Sequence, residues 1–562
     1  MSNKPWLNSY PKAVPAEVDV EKYESLAELI EESFKEYGDA PAFENMGKII
    51  SFNELDRLSA NFGSFLINDL KLQPGDKIAI QMPNLLQYPI AMFGALRAGL
   101  TVVNTNPLYT PSEMQHQFND SQAKAVVILA NFAHNLEKVL PKTAIKHVIT
   151  TEIGDAIGGI KGGIVNFVVK RVKKMVPDYH LPTAISYKTA IQRGSRHSFQ
   201  TAQLTRSDLA FLQYTGGTTG VSKGAMLSHG NLLANLMQVN AWMNGYGLVK
   251  GKEIFITPLP IYHVFALVAN VLVSTEMGAK NVLITNPRDM PAFIKEMSKH
   301  KFTVMTGVNT LFNGLLNQPD FAKLDFSSLR FGLGGGMAVQ EITSKRWAEV
   351  TGTHLAEGYG LTETSPVLTV NPLDGSGKIG SIGLPIPNTE IKLIDDAGNE
   401  VAQGEKGELC ARGPQVMQGY FGRPEETAQC MLGDWFKTGD IATMDEDGYF
   451  RIVDRKKEMI LVSGFNVYPN EVENVIASHS KVLEVGAIGV PDAKSTEAVK
   501  VYIVKKDDSL TEEEIKDYCK EHLTGYKRPK HVAFTDELPK TNVGKILRRL
   551  IREKDLAENQ YH

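Results

Sequence analysis

The chain has 562 residues, 43% apolar and 22% charged, with 48 glycines and 27 prolines. That is the composition of a globular protein with several domains and at least one large core. It excludes collagen, a disordered acidic tail and a disulfide-stapled mini-protein, and a net charge of −4 gives no basis for a dedicated nucleic-acid binder.

In chain order, Met1-Ser2-Asn3-Lys4-Pro5-Trp6 carries no apolar run, so no secretory signal is expected. Lys77–Ile80 and Ala125–Leu129 read as buried strands, with Leu85–Leu96 as a helix between them that ends at Arg97-Ala98-Gly99. Gly162–Val176 combines an apolar face with Lys170, Arg171, Lys173 and Lys174. This pattern fits a packed surface helix or a basic amphipathic helix lying on an anionic membrane. Ile254–Thr275 has no charged residue, yet Pro258, Pro260, Tyr262, His263 and Asn270 interrupt it, so a loop and a buried segment are expected rather than a membrane span. Phe302–Met305, Glu390–Ile394 and Tyr449–Val453 read as further strands. Strands alternating with helices predict α/β layers with largely parallel sheets. After Asp454-Arg455-Lys456-Lys457 the chain starts its own alternation: helix at Glu471–His479, strand at Val499–Val504, helix at Thr511–Leu523. A small second domain is expected there. Cys410, Cys430 and Cys519 lie far apart without a CxxC, which predicts reduced thiols in a cytoplasmic protein.

Four motifs carry chemistry. Tyr214-Thr215-Gly216-Gly217-Thr218-Thr219-Gly220-Val221-Ser222-Lys223-Gly224 follows the strand-like Leu209–Leu212. Its glycines let backbone N–H groups converge on an anion, its threonines add donors and Lys223 adds charge, which suits a triphosphate; the Walker spacing is absent. Glu357-Gly358-Tyr359-Gly360-Leu361-Thr362-Glu363 offers an aromatic that can stack on a base, a hydroxyl for a phosphate, and a hard carboxylate suited to Mg²⁺. Trp435-Phe436-Lys437-Thr438-Gly439-Asp440 places a carboxylate after a Gly turn, able to accept from ribose hydroxyls. Pro539–Arg549 sets Lys545 just past Gly544, where it can project into a cleft.

In this order and spacing the four motifs resemble the adenylate-forming superfamily, over essentially the whole chain. Gly433–Leu461 is similar to the signature stretch of fatty acyl-CoA synthetases. Trp6-Leu7-Asn8-Ser9-Tyr10-Pro11, Asn106-Pro107-Leu108-Tyr109 and the run SGFNVYPNEVE from Ser463 resemble bacterial long-chain fatty acid–CoA ligases.

The resemblance implies a large N-terminal domain of packed α/β layers (1–453) and a small mobile C-terminal α+β domain (454–562) hinged at Asp454. It implies ATP-dependent activation of a long-chain fatty acid to acyl-CoA through acyl-AMP, with Mg²⁺ as cofactor and coenzyme A as co-substrate. The motif matches set Tyr214 and Thr215–Gly220 with Lys223 on the β- and γ-phosphates, and Thr215 and Glu363 on Mg²⁺. They set Gly334-Gly335-Gly336 and Glu357-Gly358-Tyr359-Gly360 around adenine, Thr362 at the α-phosphate, and Asp440 and Arg455 on the ribose. Lys545 matches the lysine at the reacting phosphate, His263 the residue beside the substrate carboxylate, and Gly464 the pantetheine tunnel. A homodimer and a peripheral seat on the inner membrane surface are further implied possibilities.

The competing readings are a medium-chain or other carboxylate–CoA ligase, an amino-acid-activating domain, and a non-catalytic fatty-acid-binding, membrane-associated protein. No acidic residue between Pro260 and Glu276 stands ready for an α-amine, and no carrier segment is expected after Lys545. Lys545, Asp440 and Glu363 are intact, against the non-catalytic reading. Kinase motifs are absent. The one GxGxxG, Gly375–Gly380, runs into Pro385 and Pro387 where a dinucleotide site needs a helix.

Overall fold

The structure is a computed structural model that describes residues 4–215, 222–463, 465–492, 495–541 and 544–559. Four sheets organise it. The first runs in the order Ile185–Ser186, His147–Thr151, Ala125–Leu129, Lys77–Gln81, Thr101–Asn104, Leu209–Thr215, Lys223–Ser228. Every neighbouring pair is parallel except the last, a hairpin. Ala125–Leu129 is buried at all five positions, as a parallel strand covered on both faces must be.

The second sheet has nine strands. Leu355–Gly360, Phe331–Gly334, Val304–Gly307, Ile254–Thr257, Lys280–Leu283 and Pro41–Asn45 lie parallel at its centre. Antiparallel strands complete both edges. The third sheet is antiparallel and built from Glu390–Ile394, Gly407–Arg412, Trp435–Met444, Met431–Leu432 and Phe450–Arg455. The fourth, from residues 460–534, pairs Val482–Asp492 with Thr496–Lys505 and adds His531–Phe534 in parallel. The largest core cluster spans Trp6 to Phe450, a second lies between Ala79 and Tyr214, and two separate ones lie between Ile460 and Ile551. The architecture is therefore a large N-terminal α/β body and a small C-terminal α+β unit.

Several boundaries differ from the sequence reading. The helix after Lys77–Gln81 is Gln87–Arg97, because Leu85 is spent on a preliminary turn that accepts from the Tyr88 N–H. The strand expected at Phe302–Met305 is Val304–Gly307; its pairing partners begin opposite Val304, and Gly307 still pairs Gly334 despite lacking a side chain. The strand expected to stop at Val453 continues through Arg455, with Asp454 opposite Ile441 and Arg455 opposite Asp440. The charge cluster after it is thus partly inside the sheet. Ile254–Thr275 forms a strand, a loop and a helical run from Val264 to Glu276, buried except for the half-buried Phe265 and interrupted by a wider turn at Leu267–Leu272. No described helix is long and apolar enough to cross a membrane.

The basic segment near residue 165 begins earlier than expected, as helix Gly159–Phe167 continuing in a wider turn Val168–Val172. Only Gly162 in it is buried. A Cβ on Gly162 would sit 2.3 Å from the Gly154 carbonyl oxygen, so glycine is required where the helix meets the body. Val165, Val168, Val169 and Val176 are half-buried, but the larger apolar side chains Ile160, Ile164, Phe167, Val172 and Met175 are exposed, Ile160 to 85%. The packed-helix reading is therefore corrected. The three cysteines are free.

Candidate functional site

The Gly/Thr motif sits on the hairpin of the first sheet. Thr215 and Lys223 pair across its mouth, so the strand ends hold the two ends of the intervening loop together. Gly216, Gly217, Thr218, Thr219 and Gly220 lie outside the described residues, as does Gly464. The Thr215 carbonyl accepts from the Ser222 hydroxyl at 2.5 Å. Tyr214 turns away from this mouth: its hydroxyl donates to Asp120 at 2.7 Å, and Asp120 also pairs with Arg423 at 2.9 Å. Lys223 sets its ammonium 5.0 Å above the Tyr420 ring.

Tyr420 leads to the second motif. Its hydroxyl donates to Glu363 Oε1 at 2.7 Å. Burial raises the Glu363 carboxyl above its usual range, against that bond and the nearby Arg455. A half-buried carboxylate whose charged form is disfavoured by desolvation despite the Tyr420 bond and Arg455 suits a hard-cation ligand. Thr362 and Glu363 lie in the short turn Thr362–Thr364 that follows the strand carrying Glu357–Gly360.

Gly334 and Glu357 are paired residues on adjacent parallel strands. Gly335 leaves little room for a side chain, since a Cβ there would lie 3.1 Å from the Phe265 ring and 3.2 Å from the Gly358 carbonyl. These strand ends therefore present backbone without side chains. Gly336 follows in the left-handed region at φ 75°. The Glu357 carboxyl is buried and pushed up to about 8 by desolvation; its carbonyl accepts from the Asn371 N–H.

Asp440 ties the motifs together. Its Oδ2 accepts from the Tyr359 hydroxyl at 2.6 Å, and its Oδ1 faces Arg455 Nε at 3.2 Å. Gly439, at φ 74°, lies not in a turn but inside strand Trp435–Met444, where its register shifts against Gly407–Arg412, and Thr438 Oγ1 receives the Asp440 N–H at 3.1 Å. The strand continuation through Arg455 is what brings Arg455 opposite Asp440.

Lys545 enters from the C-terminal unit on a tight loop. The Thr541 N–H donates to the Lys545 carbonyl at 2.7 Å, and the Lys545 N–H to Thr541 Oγ1 at 3.1 Å. Desolvation first, with Arg455 and Arg548 adding to it, pulls the amine down to about 8 against the pull of Asp440 and Glu458. Gly544, beside it, has φ +82°, and a Cβ there would lie 2.5 Å from Thr310 Oγ1 of the large body. The loop is thus seated against helix Asn309–Leu316 of the large body.

His263 begins the buried helical run and caps it: its Nδ1 accepts from the Phe265 N–H at 3.3 Å. Burial lowers its pKa to about 4, so near neutral pH the ring is uncharged, with its proton on Nε2.

Tyr359, Glu363, Asp440, Arg455 and Lys545 therefore share one electrostatic neighbourhood, while Tyr214 points elsewhere. The sequence reading missed three neighbours. Tyr420 lies in Gly419-Tyr420-Phe421-Gly422, and the aromatic-between-glycines pattern that flagged Tyr359 would have found it. Glu458 and Arg548 carry no such signal. Arg548 donates to Glu473 through Nε and Nη2 at 2.8 and 2.6 Å, bonds Glu458 and Asn470, and faces Asp454 at 3.5 Å. Burial pushes the Asp454 carboxyl up to about 6 against the Arg548 charge.

Residues 30–421 match the model of the AMP-binding enzyme, and residues 471–545 that of the AMP-binding enzyme C-terminal domain. The long-chain-fatty-acid–CoA ligase of Salmonella typhimurium is 57% identical over 98% of both chains. That of Haemophilus influenzae is 50% identical over 100% of both. Among solved structures, an anthranilate CoA ligase in complex with anthranoyl-AMP superposes with TM-score 0.84 at 25% identity, covering 98% of this chain and 100% of its own.

Proposed function

The chain belongs to the AMP-binding enzyme family, and from that premise we propose how its residues divide one reaction. It is an ATP-dependent ligase that converts a long-chain fatty acid and CoA into acyl-CoA, AMP and pyrophosphate through an acyl-adenylate. The observation that carries this is near-complete coverage at 57% identity with a long-chain ligase. Medium-chain and non-catalytic readings have no comparable support.

In the first half-reaction a carboxylate oxygen attacks the α-phosphorus of ATP and pyrophosphate leaves. Carboxylates are poor acyl donors, and the mixed anhydride supplies the leaving group. The protein's part is positioning and charge neutralisation. Lys223 and the Gly/Thr loop hold the β- and γ-phosphates. Gly334–Gly336 and Glu357–Gly360 form the adenine slot, and Asp440 with Arg455 takes the ribose hydroxyls. Mg²⁺ neutralises phosphate charge when bound, and Glu363 and Thr215 are the residues that would hold it. Thr362 donates to the α-phosphate. His263, neutral with Nε2–H, donates to the fatty carboxylate without sequestering it as a salt. Lys545 contacts the carboxylate and the reacting phosphate.

In the second half-reaction the CoA thiolate attacks the acyl carbon and AMP leaves, with Gly464 lining the pantetheine path. Lys545 and Gly464 serve different poses of the C-terminal unit, 454–562, which swings about Asp454 on the large domain, 1–453.

The exposed segment from Ile160 to Met175 seats the enzyme on an anionic bilayer. Its five exposed apolar side chains stand among Lys161, Lys170, Arg171, Lys173 and Lys174, a charge pattern complementary to anionic headgroups. Vesicle flotation reads this directly. Changing the four basic residues at 170, 171, 173 and 174 to Glu abolishes binding to anionic vesicles; unchanged binding would exclude the site.

The overall function is tested by ATP-dependent AMP release with CoA across a ladder of acids from acetate to oleate. Turnover rising to palmitate and oleate is expected. Turnover confined to short acids would overturn the substrate class, and none with any acid would overturn the activity.

A further inference from the structure

At the far side of the second sheet, several strands from the adenine slot, three side chains converge. Glu44 lies on strand Pro41–Asn45, Glu296 on helix Met290–Met297, and His300 just beyond that helix. One oxygen or nitrogen of each lies within 4.8 Å of the others. His300 Nε2 stands 3.7 Å from Glu44 Oε1 and 3.6 Å from Glu296 Oε1. These distances are too long for hydrogen bonds. They are close to the edge of a coordination tetrahedron, roughly 3.3–3.6 Å when metal–ligand bonds are about 2.0–2.2 Å.

The remaining polar atoms of the trio are occupied. Lys280 donates to Glu44 Oε2 at 2.9 Å and faces His300 Nδ1 at 3.3 Å, and Lys299 pairs with Glu296 Oε2. What is left over points inward. His300 Nε2 and Glu296 Oε1 are buried and have no hydrogen-bond partner among the described residues, although the His300 side chain is only 6% exposed and that of Glu44 only 7%. Buried polar atoms are rarely left so. Each carboxylate is thus held from outside by a lysine while its inner oxygen stays free, as ligating carboxylates around a bound ion are.

We propose that Glu44, Glu296 and His300 bind one first-row divalent cation, Zn²⁺ or Mn²⁺, separate from the Mg²⁺ of the ATP site. An imidazole with two carboxylates suits such ions better than the all-oxygen preference of Mg²⁺ or Ca²⁺. In the bound form the imidazole proton is held at Nδ1, and Lys280 turns wholly onto Glu44 Oε2. The ion would staple the strand Pro41–Asn45 to the helix Met290–Met297, so its role is structural.

The test is equilibrium dialysis of the chelator-treated full chain against micromolar free Zn²⁺, and separately Mn²⁺, with bound metal counted by mass spectrometry. Wild type is expected to hold one equivalent and to show a raised Tm. Glu296→Gln and His300→Ala each lose that equivalent while AMP release stays at the wild-type level, which also reports that they fold. The Glu296 side chain is partly exposed at 18%, so its isosteric amide keeps the variant set informative even where His300→Ala is unstable. No tight equivalent on wild type, or an equivalent retained by Glu296→Gln, overturns the proposal.

Discussion

Lys545 is the residue whose chemistry the structure sharpens most. Its amine, lowered to about 8, is charged below that pH and neutral above it. In the role proposed for it, only the charged form would stabilise negative charge on the reacting phosphate. The acyl-AMP-forming step in free enzyme and dilute substrate should therefore fall as pH rises through about 8, read from a kcat/KM profile of pyrophosphate release. Lys545→Ala should slow that step by roughly 10²–10³, about 3–4 kcal/mol of lost transition-state contact, and flatten the profile. Thioester formation from supplied acyl-AMP should be spared. An unchanged profile in Lys545→Ala would assign the titration to another group. Glu363 is a second case. Glu363→Gln keeps the Tyr420 bond but removes the charge, so the apparent Mg²⁺ requirement in ATP turnover should rise while thermal stability holds or improves, since desolvation already disfavours the charged carboxyl.

At the scale of elements, the loop around Gly544 and the buried Arg548 do different jobs. Ala at 544 would meet Thr310 Oγ1 and adopt φ near +82°. Gly544→Ala should slow adenylation and leave the thioester step from acyl-AMP unaffected. Adding Thr310→Ala relieves the contact but not the left-handed strain of about 1–2 kcal/mol, so rescue should be partial. Arg548 links the start of helix Arg548–Asn559 to Glu473 in helix Pro469–Ala477 and to Asp454. Arg548→Met leaves buried carboxylates unpaired and should destabilise the C-terminal unit by about 3–5 kcal/mol, visible as faster hydrogen exchange in 469–477 and 548–559 than in the large body. These elements also mark what the sequence could convey. Strands Lys77–Gln81, Ala125–Leu129 and Glu390–Ile394 were legible because burial on one or both faces leaves a local apolar pattern. The Gly-turn motifs were legible because phosphate and ribose recognition needs glycines and carboxylates at short spacing. Arg548 was not, because its partners lie 75–94 positions away in the chain. The exposed face of Ile160–Met175 was not either, because an amphipathic period tells that a face exists and not what covers it.

At the scale of the whole molecule, the question is whether one arrangement of the two units can perform both half-reactions. Replacing Asp454 by Pro is a poor probe of the proposed hinge, since its carboxylate accepts from the Asn470 N–H at 2.7 Å and faces Arg548. Loss of those contacts would be confused with loss of rotation. The Gly544–Thr310 contact offers a cleaner one. A Cβ placed on Gly544 lies 3.7 Å from Thr310 Cβ, within the range of about 3.5–4.5 Å that a disulfide spans. A Thr310→Cys, Gly544→Cys protein, oxidised, should hold Lys545 against the large body. Mixed with ATP and palmitate it should release a single burst of pyrophosphate and retain acyl-AMP. Brief addition of CoA should then yield no acyl-CoA until a stronger reductant opens the bridge. The native thiols interfere little: Cys410 and Cys519 are buried, and burial pushes the partly exposed Cys430 up to about 11. Acyl-CoA formed at the normal rate by the bridged enzyme would mean that the C-terminal unit need not move, and that Lys545 and the pantetheine path are used in one pose.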